Sequence, residues 1–407
     1  MKRRVFLQAG AVVAAGSFLP RFARLALAQE PRARGKVLVF LFLRGALDGL
    51  HAVAPVGEKR FLELRPQLAL KTQELLPLEP GFALHPSLQP LLPFWKDGTL
   101  ALVQAVGSPD PTRSHFDAQD FLELGTPGVK GTPDGWLARS LRESPPAHAS
   151  VVDAVAVSPR LPRALQGAPE ALAFASLDQL RLRPLPGAPG GPKGRAEAEA
   201  AFEALYAQGQ GPVATSGKEA FAALELLESK LGPGAPKPAA QYPGGPIAQS
   251  LRQLAQLIKA DVGLRVGCAD AGGWDTHAAQ PGQLASNLRQ LAESLAAFMR
   301  DLGPRAADVV LVAATEFGRT VRQNGANGTD HGHASIALLL GGGVRGGKIH
   351  GRWPGLRDDQ LYEGRDLAVT TDLRNVLAAA AAAQLGARDL PALFPGFDGQ
   401  PLPGLFG

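Results

Sequence analysis

Six predominantly apolar runs of strand length recur along this chain: Lys36 to Leu43 (KVLVFLFL), Leu100 to Val106, Val151 to Val157, Leu264 to Ala269, Asp308 to Ala313 and Ile336 to Leu340. A strand without a polar face has to be buried on both sides, the condition of a parallel sheet covered by helices. Helical patterns lie between the runs. From Leu284 to Leu302 the residues Leu284, Leu288, Leu291, Leu295, Phe298 and Leu302 recur at the spacing of one helix face, and a further helix fits His115 to Leu124. The pattern predicts an α/β fold with a mostly parallel central sheet. With 407 residues, 45% of them hydrophobic, the chain can bury a large core as one big domain or two ordinary ones.

One stretch departs from the pattern. Residues 186–247 alternate Pro/Gly-rich punctuation with Ala-rich helical segments near 195–208 and 217–231. They read as a helical insertion over or beside the sheet, shaping access or acting as a spacer.

The N-terminus bears on the compartment. Lys2-Arg3-Arg4-Val5-Phe6-Leu7 is a twin-arginine pattern, followed by an apolar stretch from Ala9 to Leu19 and by Ala26-Leu27-Ala28, an A-x-A cleavage signal. Residues 1–28 are therefore read as a signal for export of a folded protein to the periplasm or beyond, with residues 29–407 as the mature domain. The apolar stretch is too short to span a bilayer by itself, and the alternative is an uncleaved basic, apolar helix or anchor. Residues 1–28 hold five basic residues and no acid, so the formal +5 of the chain belongs to them and leaves 37 basic against 37 acidic residues. No basic stripe with interleaved aromatics remains, which argues against nucleic acid as a partner.

The polar residues of interest follow or border the apolar runs, where open α/β sheets keep their chemistry. Asp48 lies just beyond the first run. Asp275 and His277 follow the Leu264 run, Glu316 follows the Asp308 run, and Asp330, His331 and His333 precede the Ile336 run. Imidazole with carboxylate is a donor set for divalent transition ions, and the single cysteine, Cys268, excludes both an intrachain disulfide and a Cys-based zinc framework. Asp275 with His277, and His331 with His333, are spaced i and i+2, which puts each pair on one side of an extended segment. Together these seven residues would suffice for one or two ions, zinc or manganese by donor type and calcium if carboxylates dominate.

Ser114 is the candidate nucleophile, since it precedes a predicted helix whose N-terminal amides favour developing negative charge. The same residue also fits a helix N-cap, with Asp117 three residues on. Thr112 and Ser108 are further hydroxyls in that loop. His115 is suited either to orienting a substrate oxyanion or to capping the helix. Arg44, Arg113 and Arg319 each neighbour a motif, where a guanidinium can clamp a tetrahedral anion or pair with nearby acids. His51 reads as a distant ligand or a supporting residue, and His85, His148 and His350 as loop residues. Gly341 to Gly347 lacks the helix of a phosphate-cradling loop and reads as a turn.

The series Phe42-Leu43-Arg44-Gly45-Ala46-Leu47-Asp48-Gly49-Leu50, Ser114-His115-Phe116-Asp117-Ala118-Gln119, Gly273-Trp274-Asp275-Thr276-His277, Glu316-Phe317-Gly318-Arg319 and Thr329-Asp330-His331-Gly332-His333 resembles the exported DUF1501 family, in the same order over nearly the whole mature chain. DUF1501 denotes a domain of unassigned function. It is in turn similar to the alkaline phosphatase and sulfatase superfamily, whose members use two metal ions and a Ser, Thr or modified Cys nucleophile on phosphate or sulfate esters. The resemblance implies a three-layer α/β sandwich with a helical insertion. It matches Asp48 to the acid after the first strand, Ser114 to the nucleophile, and Asp275 with His277 to the Asp/His pair, here as D-x-H rather than D-x-x-x-H. The later Asp-His pair has two counterparts: Asp330-His331 by local sequence, or Glu316 by strand order with the Asp330–His333 loop in the place of the last histidine ligand. Strand order is preferred.

The expected function is thus an exported metal-dependent hydrolase of phosphate or sulfate esters. Its partners would be a small-molecule or glycan ester and the twin-arginine export machinery, with no stable membrane span after cleavage. The alternative is a non-catalytic exported protein on the same scaffold, binding a glycan, an anion or a cell-envelope partner.

Overall fold

A computed structural model describes residues 35–145, 150–177, 204, 211–232 and 235–407. The signal segment 1–28 lies outside the described residues, as do His148 and residues 186–203, 205–210 and 233–234 of the expected insertion.

The strands in chain order are β1 (Val37–Leu43), β2 (Val53–Ala54), β3 (Leu76–Pro77), β4 (Ala83–Leu84), β5 (Leu100–Gly107), β6 (Ala154–Val157), β7 (Ala171–Phe174), β8 (Val266–Ala271), β9 (Val309–Ala314), β10 (Ser335–Gly341), β11 (Ile349–His350) and β12 (Thr371–Asp372). Nine of them form one sheet in the order β11-β5-β10-β9-β1-β8-β6-β7, with β12 also on β5, while β2, β4 and β3 form a small separate sheet. All pairings in the large sheet are parallel except those of β10, which runs antiparallel to both β5 and β9.

All seven residues of β1 are buried, and their alternation divides the core in two. Val37, Val39, Leu41 and Leu43 join one apolar cluster, and Leu38, Phe40 and Phe42 join the other. β9 divides in the same way, with Val309, Leu311 and Ala313 opposite Val310, Val312 and Ala314. Successive side chains of a strand point to opposite faces, so the two clusters are the two sides of the sheet. Each fully buried aliphatic or aromatic side chain contributes about 1.5–3 kcal/mol before the entropy cost of ordering it.

Among the described residues, the helices that frame the sheet and site include α1 (Gly49–Ala52), α2 (His115–Leu124), α3 (Trp136–Glu143), α4 (Pro212–Leu231), α5 (Pro246–Lys259), α6 (Gln280–Leu302) and α7 (Leu373–Leu385). The first cluster is covered by α5 and α6, with Ala223 and Leu227 of α4; the second is covered by α3 and α7. This is a three-layer α/β sandwich.

Several boundaries depart from the sequence reading. The Val151 run becomes strand only from Ala154, with Asp153 instead paired to Arg265. The Leu264 run is displaced to Val266–Ala271. His85, read as a loop residue, caps a short 3-10 turn through Nδ1, and His350 lies on β11. Cys268 is free and buried.

Candidate metal centre

The loops after β1, β5, β8 and β9 leave the sheet at its carboxyl edge. The segment before β10 reaches the same edge because β10 runs the other way. These loops hold almost every polar residue singled out above.

Four of them converge. The ring nitrogens of His115 and His331 and the carboxylate of Asp275 all lie within 4.8 Å of one another. His277 joins through Nε2, 3.0 Å from Asp275 Oδ1 and 3.0 Å from His331 Nε2. The proton positions follow from what the other ring nitrogens touch. His115 Nδ1 lies 2.8 Å from Glu316 Oε1, His277 Nδ1 lies 2.9 Å from Asp330 Oδ1, and His331 Nδ1 lies 2.8 Å from the Arg113 carbonyl oxygen. Each of these oxygens only accepts, so each Nδ1 carries the hydrogen and each Nε2 keeps a lone pair. With the three imidazoles neutral, three lone pairs face the Asp275 carboxylate, and among the described residues His115 Nε2 is buried without a hydrogen-bond partner. Imidazole Nε2 groups fixed through Nδ1–H by carboxylates or a carbonyl are the arrangement that orients histidines around zinc. The residues fit a divalent cation.

The backbone explains the convergence. Gly318 N donates to the His333 carbonyl, Gly332 N to Gly318 O and Thr320 N to Asp330 O, a short antiparallel ladder that sets Arg319 opposite His331. A Cβ at Gly332 would lie 2.4 Å from the Arg319 carbonyl carbon, and one at Gly318 would lie 1.8 Å from Ala334 O. Only glycine fits at either position. The fully buried Arg319 guanidinium bonds Asp275 Oδ1 at 2.6 Å and Thr329 Oγ1 at 3.2 Å, which fixes Asp275 from behind.

The other expected ligands are engaged elsewhere. Glu316 Oε1 accepts from Gly45 N, His115 Nδ1 and Gln119 Nε2, and Oε2 accepts from Thr315 Oγ1, so this buried carboxylate positions His115 instead of facing the cluster. Asp330 holds His277 and accepts from Asn324. Asp48 is closed to solvent, with Oδ2 bonded to Arg65 at 2.8 Å and to Gln280 at 2.6 Å, and Oδ1 accepting from His51 N. His333 donates from Nε2 to the Ser108 carbonyl oxygen and lies against the Tyr362 ring, away from His331. The segment 331–333 is not regular strand, so its i and i+2 side chains part; Asp275 and His277 do share a side.

Ser114 caps α2, its Oγ accepting from Asp117 N at 3.5 Å, and its neighbour His115 enters the cluster. The three arginines are all paired with acids: Arg113 with Asp366 and Glu363, Arg44 with Glu123 and Asp270, and Arg319 with Asp275. Sequence reasoning missed Arg65, Gln280, Asn324 and Gln119. Of these, only Gln119 carried a signal, one helical turn beyond His115.

The site's charges are set locally. The hydrogen bond to Glu316 raises the pKa of His115, whereas burial lowers that of His331. Burial would raise Asp275, but the Arg319 guanidinium outweighs it and keeps that carboxyl below its ordinary range. Burial also opposes ionisation of Glu316, yet the bonds from His115 and Gln119 prevail and lower it.

Fold and site together define a three-layer α/β protein with a His/Asp cluster of metal-ligand type at the carboxyl edge of its sheet. The chain belongs to the DUF1501 family, described as a protein family of unknown function, whose pattern matches residues 35–392. Comparison with curated proteins finds no match. Among solved structures it is similar to the C-terminal periplasmic domain of EcEptC from Escherichia coli in complex with Zn, at 9% identity and a TM-score of 0.35, covering 77% of this chain and 74% of that one. It is also similar to the phosphonate monoester hydrolase of Agrobacterium radiobacter, at 10% identity and a TM-score of 0.34, covering 90% and 79%. A third likeness is the PH0037 protein of Pyrococcus horikoshii, at 11% identity and a TM-score of 0.30, covering 77% and 88%.

Proposed function

We propose that this chain is an exported metal-dependent hydrolase of phosphate or sulfate esters, with one divalent cation held by His115, Asp275, His277 and His331 and with Ser114 as nucleophile. The observation that carries the reading is the convergence of three imidazole Nε2 lone pairs on the Asp275 carboxylate. Three nitrogens and one oxygen suit zinc, with manganese next, and disfavour calcium, which prefers oxygen throughout. A bound cation would supply Lewis-acid polarisation of an ester oxygen.

The chain's own residues do the rest. Glu316, Asp330 and the Arg113 carbonyl hold the three imidazoles in one tautomer. Ser114 stands at the N-terminus of α2, where first-turn amides favour an anionic oxygen. Attack by its hydroxyl oxygen on phosphorus or sulfur would expel the alcohol, and water would then release the anion and restore the serine. The twin-arginine pattern of residues 1–28 supports delivery outside the cytoplasm, and among the described residues no helix is long and apolar enough to cross a membrane.

A second reading, a non-catalytic binding protein with one ion, is favoured by the engagement of Arg44, Arg113 and Arg319 with acids, which leaves none of the three to clamp a tetrahedral anion. Metal analysis after supplementation, with a panel of phosphomonoester, phosphodiester and sulfate-ester substrates, separates the two. One equivalent of metal with turnover supports the hydrolase, metal without turnover supports the binding protein, and no metal overturns both.

A further inference from the structure

A cleft of about 510 Å³ opens between α6 and the 3-10 turn that follows His85, and it shares no lining residue with the metal centre. His51, on α1, and His85 lie within it, both buried, with ring centroids 5.3 Å apart. Arg289 and Glu293, one helical turn apart on α6, line the opposite wall. The volume is that of a small-molecule site.

Hydrogen bonding fixes the chemistry. His85 Nδ1 accepts from Ser87 N at 3.1 Å, so the ring hydrogen is on Nε2, which has no protein acceptor among the described residues. Nδ1 is thus occupied and Nε2 protonated, which leaves His85 a donor and not a metal ligand. Arg289 forms no ion pair among the described residues, and burial of the His85 ring, aided by the Arg289 charge, keeps that ring neutral. Burial keeps His51 neutral as well. The full charges on the lining are then Arg289 and Glu293; Arg289 with the His85 N–H offers donors for one carboxylate, and a second negative charge would have no further cation to meet and would be repelled by Glu293. Leu70, Pro281 and Ala285 supply apolar wall for the rest of a ligand.

We propose that this cleft binds a small organic monocarboxylate, its carboxylate on Arg289 and His85 and its apolar body against Leu70 and Pro281. The site is independent of the hydrolase reading.

The test is calorimetric titration of the full chain, stripped of metal so that the metal centre offers no cation to a carboxylate. Benzoate is the probe, benzamide its uncharged analogue and phenylphosphonate the dianion. One saturable benzoate site, at least roughly tenfold weaker in Arg289→Gln and unchanged in Asp275→Asn, supports the assignment, because a charge-assisted pair is worth about a decade or more in affinity. Absence of saturable benzoate binding overturns it, as does unchanged affinity in Arg289→Gln, loss in Asp275→Asn, or equal binding of benzamide. Tighter binding of phenylphosphonate overturns the monoanion assignment.

Discussion

His115 Nδ1 and Glu316 Oε1 lie 2.8 Å apart across 201 residues of sequence, and through this contact a buried carboxylate decides which nitrogen of His115 is free. Glu316→Gln keeps the shape but removes the charge that fixes the tautomer. Zinc affinity, measured by competition with a chromophoric chelator, is expected to fall about 10- to 100-fold with the fold intact. Unchanged affinity would remove Glu316 from the support of the metal centre.

Asp48 and Asp275 make opposite predictions. Asp48→Asn leaves Arg65 buried without its carboxylate, and loss of one partner of a buried pair costs about 3–5 kcal/mol. Urea unfolding is expected to show that loss while metal stoichiometry stays the same. Asp275→Asn should abolish stoichiometric metal with a smaller effect on stability. Metal loss in the Asp48 variant, at a concentration and temperature where it is folded, would return Asp48 to the ligand set.

Burial lowers His51 from 6.5 to about 4, a shift that the nearby Asp48 opposes and that Arg65 and His85 reinforce. The unfolded chain therefore takes up this proton first as pH falls. The stability is whole above about pH 6.5 and is lost progressively towards pH 4, by about 3 kcal/mol at 1.36 kcal/mol per unit. Burial depresses His85 in the same direction, aided by Arg289. Unfolding free energies at pH 7.0, 5.5 and 4.5 should trace this slope, and His51→Gln should flatten it. An equal slope in the variant would assign the acid sensitivity to other groups.

Ser114→Ala removes both a cap and the proposed nucleophile. The cap loss is expected to cost about 1 kcal/mol. Turnover of a test ester should fall at least about a thousandfold with metal content unchanged. A variant with normal kcat would leave the serine as a cap only.

Gly332→Ala drives a methyl into the Arg319 backbone, which the ladder holds on both sides. Overpacking of this kind costs about 1–3 kcal/mol. Because the displaced segment carries His331, metal affinity should fall together with the melting temperature. A variant with both unchanged would show that the 330–333 segment can shift without penalty.

The layers of the fold were legible because burial on both faces leaves an unbroken apolar run. The limits of α2 were legible because Ser114 caps it and Gly125 closes it at a φ of 66°. The direction of β10 was not, since a strand buried on both faces has the same composition whichever way it runs. The two-residue strands β11 and β12 are too short to carry a pattern. At the site, residue type marked seven candidate ligands, but it could not separate Asp275, His277 and His331, which converge, from Asp48, Glu316, Asp330 and His333, which are engaged elsewhere. That separation rests on partners remote in sequence: Arg65 and Gln280 for Asp48, Gly45 and Gln119 for Glu316, and the Ser108 carbonyl for His333. The place of His115 in this cluster was not legible, because the carboxylate that orients its ring is 201 residues away.

The cluster draws its donors from three loops, after β5, after β8 and before β10, and exists only when strands from both halves of the chain lie in register. An ion there cannot be captured by a partly folded segment, as it can in a short local metal loop, so its binding energy accrues only to the finished sheet. A metal ion bound there would thus act as an assembly check, since its retention would report the topology of the whole domain.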